Sequence, residues 1–520
     1  MKNLKIKSVL ALLAIFMFNA CSEDFLDLKP LDVEVTTNFY TTEEEAFQAL
    51  VAIYDVLTYQ DTPFIHWMPF VTVSDVLSDD AFAGGSDPND GFEWDQLNNY
   101  RTRPVSPIAH AIWIKNYIGV FRANLFLEVI DDIDASESFK RRTIAEAKFL
   151  RAYFYLEQVR FFENIPLLLE TIKGPSEYTQ EQNTPQEVYN QIALDLVEAI
   201  ADLPETVPPN EAGRITKWAA QALLARTYLF YNGVYGGNLT AGSTEVDRTF
   251  VLEQLRELIE ESGHDLFEDY SHNFSLVGEF GIESVFEISY GDSPPWGDWD
   301  YIRGGNGNLA AQMQGPRVVA GSQNWNRGWS FAPVSHKLYE FMQDDPRRPY
   351  TILLEEELDG TLVKGYQHTG YFSRKYTSDA EHWGTDGSPE LNRTVNHRVI
   401  RFSDVLLMAA ELDSPNKQEY LNRVRARVGL DPVDATLDNI LRERRLELSL
   451  EGIRYYDVLR RGLAYATQEF TYSGIMGPNY ESPDQVIYDA TFNAATRGFL
   501  PIPQSEIDLS GGVFKQNDGY

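Results

Sequence analysis

The sequence predicts a mainly α fold: helical pairs stacked in the tetratricopeptide manner, joined to a loop-rich central and C-terminal region that carries a few short strands. Three observations predict it. Apolar residues recur every three or four positions in several stretches, small side chains stud those stretches, and one segment of roughly forty residues is instead rich in Gly, Asn, Asp and Pro.

The chain opens with Lys2, Lys5 and Lys7, an unbroken apolar run from Val9 to Phe18, and then Asn19, Ala20 and Cys21. That is the layout of an export signal. The run is roughly ten residues, against the about 20 that a membrane-crossing helix needs, so residues 1–20 read as a lipoprotein signal peptide. Cys21 is the single cysteine of 520 residues and stands where a signal peptidase cuts. It reads as the lipidation site, followed by a lipidated tether over 21–40. With no disulfide available, stability must come from core burial.

Residues 41–235 read as a helical region. Thr184, Pro185 and Glu187 offer an N-cap, a proline at the first helical position and a capping-box partner, and Tyr189, Ile192, Leu196, Ile200 and Leu203 follow as one buried stripe. A second helix is expected from about Thr216 to Tyr231, where Ala219, Ala220, Ala222 and Ala225 alternate with larger apolar residues. Ala145, Ala147 and Ala152 recur in the same way among Phe149, Tyr153 and Leu156. Small residues at that spacing let helices approach closely.

Residues 236–520 read as a second region of irregular loops and packing helices. Glu283 to Tyr290 alternates like a half-buried strand, and Gly291 to Pro333 shows almost no helical period. A stretch that long without structure is better explained as a functional surface than as an idle loop. Helices are expected at Ser403–Glu411, about Gln418–Val428 and about Leu437–Arg461. In the last, Glu443, Glu447 and Glu451 lie four apart among several arginines, a pattern for partly buried ion pairs that join helices. Residues 500–520 read as an extended tail packed on the body.

The formal net charge is −34, and more acidic still once the three leading lysines are removed. Such a field repels phosphate backbones and anionic membrane surfaces, which excludes nucleic acid as a partner and leaves lipid as the only membrane attachment. Charged residues are 23% and hydrophobic ones 43%, a globular composition.

Several blocks, in order, resemble the SusD/RagB nutrient-binding lipoproteins of Bacteroidetes. They are CSEDFLDLKP (21–30), AEAKFLRAYFYLEQVRFFENIPLL (145–168), GRITKWAAQALLARTYLF (213–230), RFSDVLLMAAE (401–411), LNRVRARVGL (421–430), RERRLELSLEGIRYYDVLRRG (442–462), LPIPQSEID (500–508) and the ending QNDGY. The resemblance implies a SusD-like, mostly helical fold, anchored by lipid on the outer face of the outer membrane and capping a SusC-like TonB-dependent transporter. It implies binding of an oligo- or polysaccharide, with no catalytic residues and no cofactor. A peptide-binding, RagB-like lid is the alternative, and a glycoside hydrolase a more distant one: 78 carboxylates and loop tryptophans would suit it, paired carboxyls at the required separation cannot be seen in a linear sequence, and the family blocks weigh against it.

Sugar rings lay patches of C–H bonds on aromatic faces, while their hydroxyls need fixed polar partners. Of nine tryptophans only Trp113 and Trp218 fall in plainly helical runs; Trp67, Trp94, Trp296, Trp299, Trp325, Trp329 and Trp383 lie in irregular, polar surroundings. Within the two stretches where the family places its binding loops, Trp94, Trp296, Trp299 and Trp325 are the expected platforms, with Tyr301 and Trp329 next, and Asp79, Asn324 and Arg327 as hydroxyl partners. Three aromatic faces and a few net hydrogen bonds amount to about 4 to 7 kcal/mol, which places the dissociation constant between about millimolar and tens of micromolar. The eight histidines form no helical metal pair, and no metal site is assigned. Asp87, Asn89, Asp90 and Glu93 hold enough oxygens for a structural calcium ion but lack EF-hand spacing.

Overall fold

The computed structural model describes residues 40–60, 68–174, 177, 179–293, 306–384, 390–475 and 486–520. The expected signal peptide and most of the tether with Cys21 lie outside the described residues, as do Trp67, Trp296, Trp299 and Tyr301.

The fold is mainly helical with a few short strands. Four long helices form the first layer: Pro107–Val129, Glu137–Phe162, Pro185–Asp202 and Lys217–Tyr235. Each packs on the next in chain order, and Arg248–Glu261 continues the series. The starts are where short polar side chains can satisfy free N–H groups. Ser106, Ser136, Thr216 and Asp247 each accept from the third residue of the helix that follows. At Thr184 the expected capping box is complete, with Thr184 Oγ1 accepting from Glu187 N–H at 3.3 Å and Glu187 Oε2 accepting from Thr184 N–H at 2.8 Å.

Small residues set how closely the layers approach. Ala219, Ala220, Ala222 and Ala225 are all buried in Lys217–Tyr235. In Pro107–Val129, a Cβ on Gly119 would meet the Phe154 ring at 2.4 Å, so only glycine lets that ring seat. The Glu137–Phe162 helix is flanked on both sides and is buried almost continuously from Ala145 to Phe162. It therefore lacks the polar face that a surface helix keeps.

The second half docks through Phe402–Glu411, which packs on Arg248–Glu261 and Lys217–Tyr235. It follows directly on an antiparallel ribbon of Ser284–Ile288 with His397–Arg401, which contains the strand expected from alternation. The other described ribbons are also two-stranded and antiparallel. Lys417–Arg427 lies within one residue of expectation.

Three expectations need correction. The helix expected over about 437–461 is two, Leu437–Leu448 and Arg454–Leu459, because Leu450 and Gly452 take φ of 61° and 73°. Gly452 fits there against the Val71 backbone and donates its N–H to Asp75 Oδ1 at 3.0 Å. The irregular 291–333 stretch contains a buried helix, Leu309–Gln314, too short for a period to show. The tail is packed on the body as expected, with Leu500 N–H on Phe161 O at 2.7 Å, yet it includes a helix at Gln504–Leu509.

The glutamates spaced by four are more deeply buried than expected, and their partners come from other elements. Glu443, Glu447 and Glu451 are 1%, 0% and 4% exposed. The Arg401 guanidinium meets Glu283 at 2.5 Å, Glu447 at 2.8 Å and Glu451 at 2.8 Å. Arg427 also joins Glu283 to Glu447, Arg347 reaches Glu443 at 2.7 Å, and Lys375 reaches Glu451 at 2.6 Å. Burial alone would push the Glu447 and Glu451 carboxyls up. Arg427 and Arg401 beside Glu447, and Arg401 and Lys375 beside Glu451, outweigh it and hold both below the usual carboxylate range.

Candidate glycan-binding surface

The irregular region builds one exposed turn on a rigid stem. Residues 313–331 fold back on themselves: Phe331 N–H donates to Met313 O at 2.8 Å, Ser330 N–H to Gly315 O at 2.9 Å and Gly328 N–H to Pro316 O at 2.8 Å. The arms touch so closely that a Cβ on Gly328 would lie 2.2 Å from the Gly315 backbone. At the tip, Ser322 Oγ accepts from the N–H groups of Asn324 and Trp325 at 3.2 and 2.7 Å. Asp359, from a neighbouring turn, accepts from the Ser322 hydroxyl at 2.5 Å and from Gln323 N–H and Asn324 Nδ2 at 3.0 Å each. These bonds, the Ser322 hydroxyl foremost, favour the charged carboxylate and hold Asp359 below its ordinary range.

A second strand lies alongside. Asn326 N–H donates to Ser378 O and Ala380 N–H to Asn324 O, both at 2.8 Å, so that Trp325 and Asp379 form an antiparallel bridge. Trp383, three residues beyond Ala380, is half-buried like Trp325. The surface thus offers the partly exposed Trp325 indole with Asn324 and Asp359 on the turn and Asp379 on the paired strand. The segment that contains Trp296, Trp299 and Tyr301 has described ends at Ser293 and Asn306, with Asn306 O accepting from Gly291 N–H at 2.8 Å. Those ends stand next to Gly384, whose added Cβ would come 3.0 Å from Asp292 Cβ.

The two loop stretches singled out in the sequence do meet. Ala81 bridges Val334, Gly84 bridges Phe331, and Arg317 pairs with Asp90 at 3.1 Å. The contact is made by residues expected on the surface, and three assignments fall for that reason. Trp94 belongs to the short helix Phe92–Asn98 and is 4% exposed, packed against the Phe331 ring at 5.7 Å. Trp329, 8% exposed, is on the inner arm of the stem, its N–H on Gln312 O at 3.0 Å. Neither ring has a face free for a ligand. Asp79 is an interior ion-pair residue, held by Lys337 at 2.6 Å, Arg454 at 2.8 Å and Arg445 at 3.0 Å. Burial alone would push it up, but those cations hold it well below the usual range.

Of the remaining sites, Trp325, Asn324 and Arg327 lie on the turn, with Asn324 and Arg327 exposed. The residues of the turn and its paired strand that the sequence did not single out are Asp359, Ser322 and Asp379. Asp359 and Asp379 reach the turn only through the fold. Asp90 of the oxygen-rich loop is engaged by Ser86 N–H at 2.7 Å and by Arg317. Among the described residues no three His, Cys, Asp or Glu side chains converge as a metal site, and no helix is long and apolar enough to cross a membrane.

Comparison with known proteins places this geometry. A SusD family profile matches residues 355–520, and a SusD-like profile described as starch-binding associating with outer membrane matches 24–229. A solved laminarin-binding SusD-like protein is 32% identical, covering 92% of this chain and 100% of that one with a TM-score of 0.79. Surface glycan-binding protein A from Bacteroides thetaiotaomicron, solved with laminarihexaose, is 29% identical over 92% of this chain and 100% of its own, with a TM-score of 0.80. A SusD-like protein from Bacteroides ovatus is 25% identical over 466 residues, which is 85% of this chain and 80% of the relative. With the 32% identical laminarin-binding relative matched along its whole length, the chain belongs to the SusD/RagB family.

Proposed function

We propose that this protein is a non-catalytic, cell-surface glycan-binding lipoprotein that captures an oligo- or polysaccharide and delivers it to a SusC-like TonB-dependent transporter. The observation that carries the reading is the Trp325 turn. A half-exposed indole is held by backbone and side-chain hydrogen bonds to Ser322 and Asp359, beside carboxylates and an amide able to take sugar hydroxyls. Holding the ring in place before the ligand arrives lowers the ordering cost of binding. The structural relatives solved as laminarin and laminarihexaose binders make a β-linked glucan the first ligand to try. Cys21 supplies the lipid anchor and places the protein on the outer membrane.

The test is calorimetric titration of the mature protein with laminarihexaose, cellohexaose, maltohexaose and xylohexaose. The expected result is binding of one class with a dissociation constant between about millimolar and tens of micromolar, without release of new reducing ends. Hydrolysis of any of them, or affinity for peptide pools in place of sugars, would overturn the reading.

A further inference from the structure

The Trp325 turn has a polar neighbour whose position is set by backbone pairing. Asp379 stands opposite Trp325 in their antiparallel bridge. Directly opposed residues carry their side chains on the same face, with Cβ atoms about 5 Å apart. The two oxygens of Asp379 are not equivalent. Oδ1 accepts from His382 N–H at 3.2 Å, which orients the carboxyl. Oδ2 lies 3.8 Å from His382 Nε2, beyond hydrogen-bond reach, and the side chain is 26% exposed. Among the described residues no side chain donates to Oδ2, and the Glu381 N–H adds to the His382 N–H in favouring the charged carboxyl. A partly exposed indole with an oriented carboxylate on the same face of a paired strand suits a pyranose, which presents a C–H face and ring-edge hydroxyls together.

The surroundings fix the charge of this group. Arg393 is fully buried nearby; its Nε and Nη2 donate to Gln312 Oε1 at 3.2 and 2.7 Å, and its Nη1 has no acceptor among the described residues. The His382 imidazole is buried, and burial lowers it to about 4, so it is neutral at any higher pH. Burial pushes Asp379 up to about 6; the His382 N–H pulls it down, neighbouring Glu381 pushes it up, and Arg393 draws it down again. Asp379 is thus the group here whose charge changes near neutral pH.

We infer that Asp379 is a hydroxyl-binding residue of the Trp325 glycan surface, accepting from the sugar through Oδ2. The inference rests on the glycan-binding reading above. A carboxylate makes a stronger, charge-assisted acceptor than a carboxylic acid, so affinity is greater above the Asp379 transition and falls as pH drops through it.

The experiment titrates laminarihexaose, with cellohexaose, maltohexaose and xylohexaose alongside, into the wild-type chain, Asp379→Asn and Trp325→Ala. Asparagine keeps an oxygen for His382 N–H and replaces Oδ2 by a donor; a thermal melt within a few degrees of wild type confirms that it folds. Wild-type affinity is expected to fall about three-fold or more between about pH 7.5 and about pH 5. Asp379→Asn is expected to bind about five-fold more weakly at the higher pH and to show no pH dependence over that range. If Trp325→Ala weakens binding while Asp379→Asn matches wild type at both pH values, the Asp379 assignment is wrong and the glycan surface stands. If the wild-type chain binds none of the four sugars, the glycan reading falls and this assignment with it.

Discussion

The cluster around Arg401 and the turn around Trp325 are built from the same kinds of side chain, and they are used in opposite ways. Around Arg401, the carboxylates Glu283, Glu447 and Glu451 are consumed by Arg401, Arg427 and Lys375 with almost no exposure. Around Trp325, Asp359 and Asp379 are engaged on one side by local N–H or hydroxyl groups and remain open to solvent on the other. The first arrangement joins elements of the second half to one another. The second leaves hydrogen-bonding capacity for something that is not protein. Burial, not residue type, separates a structural carboxylate from a recognition carboxylate, as Asp79 and Asp359 show within one chain.

That comparison can be broken in order of effect. Arg401→Ala leaves three buried carboxylates short of a cation and is expected to remove at least about 3 to 5 kcal/mol, enough to abolish a cooperative urea transition in a marginal fold. A near-normal transition would mean that the cluster is incidental. Trp94→Ala, now an interior substitution, should cost about 3 kcal/mol or more in the same assay. Weakened glycan binding with an unaltered melt would instead return Trp94 to the surface.

Acid should act on the buried ion pairs of the interior, those of the Arg401 cluster among them. Asp79, Asp404, Glu447 and Asp457 are all held below their ordinary values by arginines that outweigh burial. A carboxyl depressed in the folded state gives stability that is full above its unfolded pKa of about 4 and is lost as pH falls through the folded value. The melting temperature is therefore expected to hold between about pH 7 and pH 5 and to drop steeply below about pH 4. Asp75, raised by burial, works in the opposite sense and in a higher window, adding stability as pH falls towards about 4 and nothing further below it. The smallest stability effect belongs to the turn. Trp325→Ala should leave the unfolding free energy in urea within about 0.5 kcal/mol while lowering glycan affinity several-fold. Loss of stability comparable to Trp94→Ala would place Trp325 with the interior.

Much of the fold was legible because its signals are local. The Thr184 capping box, the alanine-rich faces and the 283–290 alternation are short-range patterns whose physics is complete within about ten residues. The break at Leu450 and Gly452 was not, because it answers to Val71 and Asp75, far away in sequence. The same limit explains the mixed outcome among the tryptophans. A loop-like sequence predicted exposure for Trp94 and Trp329, but Trp94 packs against Phe331 across the junction of two loop stretches, and Trp329 is buried on the inner arm of the stem.

By itself, then, the amino-acid order determined the helical character, the places where helices begin, the likeness to a nutrient-binding family and the presence of a tryptophan-rich irregular region. Only the folded chain decided which indoles face solvent and which carboxylates are spent in the interior. The reason is range: hydrophobic period and capping are read between neighbours, whereas desolvation depends on everything that the complete chain packs around a side chain.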